Sequence, residues 1–145
     1  MFTESFEKED SINWPDKTIL IVEDNFHNYL YMQAVLERTD IKILYVSDGA
    51  DAINTARQHQ ELDLILMDIR LPFVSGYEAT RQIREFNPSI PIIAVTACSM
   101  SDEEEECKRA GCNAYLKKPV SQKELISVMS RYLIRESHYS VTPHY

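Results

Sequence analysis

Five short apolar runs recur along the chain at near-regular intervals, at residues 18–22, 41–46, 62–67, 92–95 and 114–116. The first, third and fourth are almost continuously apolar and rich in Ile, Leu and Val. A strand buried on both faces needs that composition, because neither face can carry polar side chains. The stretches between the runs have helical length and period. Tyr31, Met32, Val35 and Leu36 share one helical face, Ala79, Ile83 and Phe86 a second, and Leu125, Val128, Met129 and Tyr132 a third. Strand and helix alternating five times predict an α/β domain: a five-stranded parallel sheet with helices on both faces. Open sheets of this kind bind ligands at the carboxyl ends of their strands, which says where to look for chemistry.

The helix starts are marked too. Ser75 with Glu78, Ser101 with Glu104, and Ser121 with Glu124 each match the S-x-x-E capping box. Gly111 falls where the fourth helix should stop. The acidic run 103–106 sits in the first turns of that helix, and its expected role is a solvated helix start favoured by the dipole. The 145 residues suit one domain and not two. The expected division is a flexible extension over 1–16, against which Trp14 could still pack on the domain, a folded unit over 17–135 and a loose tail over 136–145.

Acidic residues outnumber basic ones, 23 to 15, for a net charge of -8. That balance opposes direct nucleic-acid binding and suits a divalent cation or a basic protein surface. Three cysteines, Cys98, Cys107 and Cys112, form no CxxC pair, so a reducing cytoplasm is the expected setting. The acidic start is unlike a secretory leader, and no apolar run approaches the roughly 20 residues of a membrane span.

Five polar residues lie at or just past the carboxyl ends of the strands: Glu23 and Asp24 after the first, Asp68 at the third, Thr96 at the fourth and Lys118 after the fifth. The predicted fold brings them to one rim. Three carboxylates there would repel one another unless a cation neutralises them. Mg²⁺ suits such a site, since it takes hard oxygen ligands and keeps several waters. A lysine and a hydroxyl beside it make the site fit for a phosphoryl group. The histidines His27, His59, His138 and His144 fit no site and read as surface residues.

The motifs carrying these residues resemble those of response-regulator receiver domains of two-component systems. ILIVEDN at 19–25 resembles their opening strand, LILMDIRLP at 64–72 their phosphoacceptor strand and loop, and AVTA at 94–97 and YLKKP at 115–119 the remaining two motifs. Singly each is weak; their order and spacing together are specific, over residues 17–133. The resemblance implies a flavodoxin-like doubly wound sheet of order 2-1-3-4-5. It implies that Asp68 is the phosphoacceptor, that Asp24, Glu23, Asp68 and the backbone carbonyl of Arg70 hold Mg²⁺, and that Lys118 pairs with Asp68 and then with the phosphoryl group. Thr96 would donate its hydroxyl to that group, and Tyr115 would turn inward as Thr96 moves. Arg70 and Cys98, two positions beyond Asp68 and Thr96, would tune the lifetime of the acyl phosphate. The lysine that precedes the proline is Lys118, and its bond to Pro119 is expected to be cis; Lys117 points elsewhere.

Implied partners are a histidine kinase or histidine phosphotransfer protein as donor, and a downstream protein or a second copy of the chain, reached through the helix 4–strand 5–helix 5 face. The protein would be a switch, with self-phosphorylation and autodephosphorylation its only chemistry. One rival is an Asp-nucleophile phosphatase, disfavoured because Arg70 stands where such enzymes carry a general acid. Another is an interaction module that is never phosphorylated, disfavoured by the complete set Asp24, Asp68, Thr96 and Lys118. The motifs suit a stand-alone regulator, a phosphorelay intermediate or a receiver of a hybrid histidine kinase.

Overall fold

A computed structural model describes residues 12–97 and 101–134. Residues 1–11 of the expected extension over 1–16, the tail over 136–145 and Cys98 lie outside the described residues. The elements follow in strict alternation: β1 (Thr18–Val22), α1 (Phe26–Leu36), β2 (Lys42–Val46), α2 (Gly49–Gln58), β3 (Leu64–Asp68), α3 (Gly76–Phe86), β4 (Ile92–Thr96), α4 (Ser101–Ala110), β5 (Ala114–Lys117) and α5 (Gln122–Leu133). All strand pairs are parallel and the sheet order is β2-β1-β3-β4-β5, as expected. The two-residue period of each strand divides the apolar runs between two cores. Leu20, Val22, Ile65, Met67, Ile92 and Ala94 face α2 and α3. Ile19, Ile21, Leu64, Leu66, Ile93 and Val95 face α1 and α5. Every residue of β3 and β4 is buried, whereas edge strand β2 is only partly so.

The helix faces bury largely as their period predicts. Met32 and Leu36, Ala79 and Ile83, and Leu125 and Met129 are buried. Tyr31 departs from its row: it stays exposed, and its hydroxyl donates to the Val120 carbonyl at 2.8 Å. Trp14 is buried in the α1/α5 core and its N–H donates to the Thr39 carbonyl, so the packed structure begins before β1. Ser121 forms the full capping box with Glu124, while Ser75 caps α3 by accepting from the Glu78 N–H at 3.2 Å. Ser101 is the first residue of α4. Gly111, at φ 114, ends α4 in a conformation that other residues rarely adopt.

Two features aim the rim. Strands β1, β3 and β4 end nearly level, with Val22 opposite Met67 and Asp68 opposite Val95. Gly76 lets α3 start against the end of β3, where an added Cβ would overlap the Asp68 carbonyl oxygen and lie 2.6 Å from the Ile69 Cα. Among the described residues, no helix is long and apolar enough to cross a membrane.

Candidate functional site

Asp68 is the last residue of β3 and only 3% exposed. Glu23, the first residue past β1, is 1% exposed, and Asp24 beside it faces solvent. One carboxylate oxygen from each of the three lies within 4.8 Å of the others. Lys118 enters from the loop after β5, across the cis Lys118–Pro119 bond. Its Nζ lies 3.0 Å from Glu23 Oε1 and 3.6 Å from Asp68 Oδ2. Lys117, the last residue of β5, is exposed to solvent. The rest of each carboxylate is held by amides: the Arg70 N–H donates to Asp68 Oδ1 at 3.1 Å, and the Asn25 N–H to Glu23 Oε2 at 3.2 Å. Together with Asn28 and Ala97 these residues line a cavity of about 300 Å³ at the rim.

The charges in this cavity do not balance. Three acids face one ammonium, and two of the acids are buried. Burial first, and the neighbouring Glu23 carboxylate second, push the Asp68 carboxyl up from 3.8 to about 7, against the opposing pull of Lys118 and of the Arg70 N–H. A small hard cation would relieve that repulsion directly. The donor set is all oxygen, carries high negative charge and opens on solvent, which fits Mg²⁺ with several retained waters.

Not every expected residue converges on the cavity. Thr96, at the end of β4, is fully buried, and its hydroxyl donates to Glu103 Oε1 at 3.1 Å. Tyr115 is half-buried on β5 and packs against the α2/α3 core. The Arg70 side chain is exposed and its Nε lies 3.3 Å from Glu103 Oε2. Glu103 departs from the expected solvated helix start, which Glu104 and Glu105 do form: it is 7% exposed and also accepts from the Tyr77 hydroxyl at 3.0 Å. Burial, and then that bond to Glu103, raise the Tyr77 hydroxyl well above the usual tyrosine range. A signal for Glu103 was present in the sequence. Glu103, Cys107 and Ala110 fall at i, i+4 and i+7, and all three are buried along one face of α4. Asn25, which caps α1 by accepting from the N–H groups of His27 and Asn28, was also missed.

The family model for the response regulator receiver domain matches residues 19–130. This chain belongs to that family. The polar-differentiation response regulator DivK of Brucella anthropi is 40% identical to this receiver over 119 residues, which cover 81% of this chain and 96% of DivK. The receiver domain of the sensor histidine kinase PA1611 from Pseudomonas aeruginosa, with a magnesium ion coordinated in its active site cleft, is 40% identical and superposes with a TM-score of 0.75 over 81% of this receiver and 97% of that chain. A further similar chain, with a TM-score of 0.81 and 30% identity, comes from the co-crystal structure of the Saccharomyces cerevisiae histidine phosphotransfer protein Ypd1 with the receiver domain of its downstream response regulator Ssk1; the match covers 86% of this receiver and 94% of that chain. The sheet order expected from the motifs is thus the order of the flavodoxin-like receiver fold.

Proposed function

We propose that this receiver is a phosphorylation switch whose phosphoacceptor is Asp68. One observation carries the reading. A buried carboxylate at the end of a central strand stands beside an ammonium, 3.6 Å away, and beside two further acids within 4.8 Å. Glu23, Asp24, Asp68 and the backbone carbonyl of Arg70 would hold Mg²⁺, which supplies charge neutralisation at the phosphoryl oxygens. The donor is a phosphohistidine, on a histidine kinase or on a phosphotransfer protein of the kind seen with the yeast receiver.

An Asp68 carboxylate oxygen attacks phosphorus, the P–N bond breaks with its electron pair leaving on the imidazole, and an acyl phosphate remains. Lys118 favours the ionised Asp68 that attacks and then pairs with the new phosphoryl oxygens. The switching unit is residues 17–135, working in the cytoplasm. Thr96 moves toward the phosphoryl group and Tyr115 turns inward. The face of α4, β5 and α5 carries the change to a partner. Arg70 and Cys98 set how fast the acyl phosphate hydrolyses.

The test is incubation with Mg²⁺ and acetyl phosphate followed by intact-protein mass spectrometry. A phosphoryl adduct on the wild type that is absent from Asp68→Asn supports the reading. No adduct on the wild type, or an equal one on the variant, removes it.

A further inference from the structure

Glu103 is a buried acid that the phosphoacceptor site does not use. It stands in the first turn of α4 and gathers donors from three other segments: the Thr96 hydroxyl on Oε1 at 3.1 Å, and the Tyr77 hydroxyl at 3.0 Å and Arg70 Nε at 3.3 Å on Oε2. A cluster that merely fastened α4 to the sheet could draw on any side chains. Two of these three belong instead to residues assigned above to the phosphoryl group. A threonine hydroxyl has one proton to donate. Thr96 can give it to Glu103 or to a phosphoryl oxygen, but not to both.

We propose that Glu103 is a positioning residue that restrains the switch at rest, holding the Thr96 hydroxyl and the Arg70 side chain on α4 until a phosphoryl group outcompetes it. The inference rests on the reading of Asp68 as phosphoacceptor. It gives the two ends of the switch a shared atom set. Every bond that Thr96 makes to the phosphoryl group is one withdrawn from the start of α4. The coupling is reciprocal, so whatever holds α4 in its released position tightens phosphoryl binding by the same factor. A carboxylate accepts hydrogen bonds more strongly than an amide, and Gln at 103 would offer a single acceptor oxygen instead of two. The exchange therefore weakens the rest state while nearly preserving shape.

Beryllofluoride, a non-covalent stand-in for the phosphoryl group, tests this on the full chain in Mg²⁺, with bound ligand followed by fluorine NMR. Glu103→Gln should bind it about three- to tenfold more tightly than wild type, the scale of one or two lost hydrogen bonds. That gain should shrink in a Thr96→Val background. A purely structural Glu103 would give equal or weaker affinity, or a gain indifferent to Thr96, and either result overturns the proposal. Should Glu103→Gln not fold, Glu103→Asp, which keeps the charge but withdraws it by one methylene, decides by the same criteria. A wild type that does not bind beryllofluoride removes the Asp68 reading and this inference with it. A binding wild type with an indifferent Glu103 removes this inference alone.

Discussion

Replacing Asp68 by Asn should stabilise the metal-free protein, and by an amount that depends on pH. Asp68 sits 3% exposed beside Glu23, and its carboxyl is pushed from 3.8 to about 7. An acid whose folded value is raised holds its proton in the native state after the unfolded chain has lost it. Between pH ~4 and ~7 the native state therefore binds more protons than the unfolded state, and stability falls as pH rises across that window, then levels off. The full shift corresponds to about 4 kcal/mol at ~1.36 kcal/mol per tenfold in proton affinity. Water reaches the open rim and Lys118 can move to follow the charge, so about 1–3 kcal/mol is the expected cost of the ionised carboxylate in the metal-free state. Asparagine keeps the shape and the acceptor for the Arg70 N–H, and Lys118 keeps Glu23 at 3.0 Å.

The assay is urea unfolding of wild type and Asp68→Asn at pH 4.5 and pH 8, in EDTA and in Mg²⁺. Asp68→Asn should exceed wild type by about 1–3 kcal/mol at pH 8 in EDTA, with most of the difference gone at pH 4.5. Mg²⁺ should close the gap at pH 8 by stabilising the wild type more, since only native protein with all three carboxylates binds it well. Equal stabilities at pH 8 in EDTA, or an advantage that does not vary with pH, would refute the reasoning that crowding of buried acids makes this site demand a cation.

Gly76→Ala should cost about 2–3 kcal/mol in the same assay, because its Cβ would overlap backbone at Asp68 and Ile69, and a loss under ~0.5 kcal/mol would mean that α3 shifts freely. Ser121→Ala should cost about 1 kcal/mol by removing the capping box of α5, again read by urea unfolding. Arg70→Ala, at a residue whose exposed side chain stands beside the cavity, should shorten the lifetime of the phosphorylated protein severalfold; an unchanged decay of the mass adduct would show that Arg70 does not shield it.

The sheet was legible because strands buried on both faces leave unbroken apolar runs, a local signal that needs no knowledge of neighbours. The acids and Lys118 were legible one step later, since the parallel topology alone carries every strand end to the same rim. Asp24 and Asp68 needed no more than that, whereas choosing Lys118 over Lys117 also needed the resemblance to the family's lysine-proline motif. Tyr31 was misplaced for a different reason. Its position in the helical period is inward-leaning, but its hydroxyl reaches Val120 only by staying at the edge of the core. Glu103 was hidden by composition. It is one of four consecutive glutamates, and charge says nothing about which of them turns inward. Only the spacing to Cys107 and Ala110 marks it, and its donors come from the ends of β3 and β4 and the start of α3, which no local pattern connects.

That difference matters for how the switch is described. Read from motifs, the receiver is a site awaiting a phosphoryl group, to which Thr96 would donate its hydroxyl. Read from the structure, Thr96 already donates to a buried carboxylate, and the resting state is a bonded arrangement in its own right. On the proposal made above, the balance between the two states would depend on the difference between two acceptors of one proton, Glu103 and the phosphoryl oxygens. A small change at Glu103, remote in sequence from Asp68, would shift that balance as directly as a change at the phosphoacceptor itself.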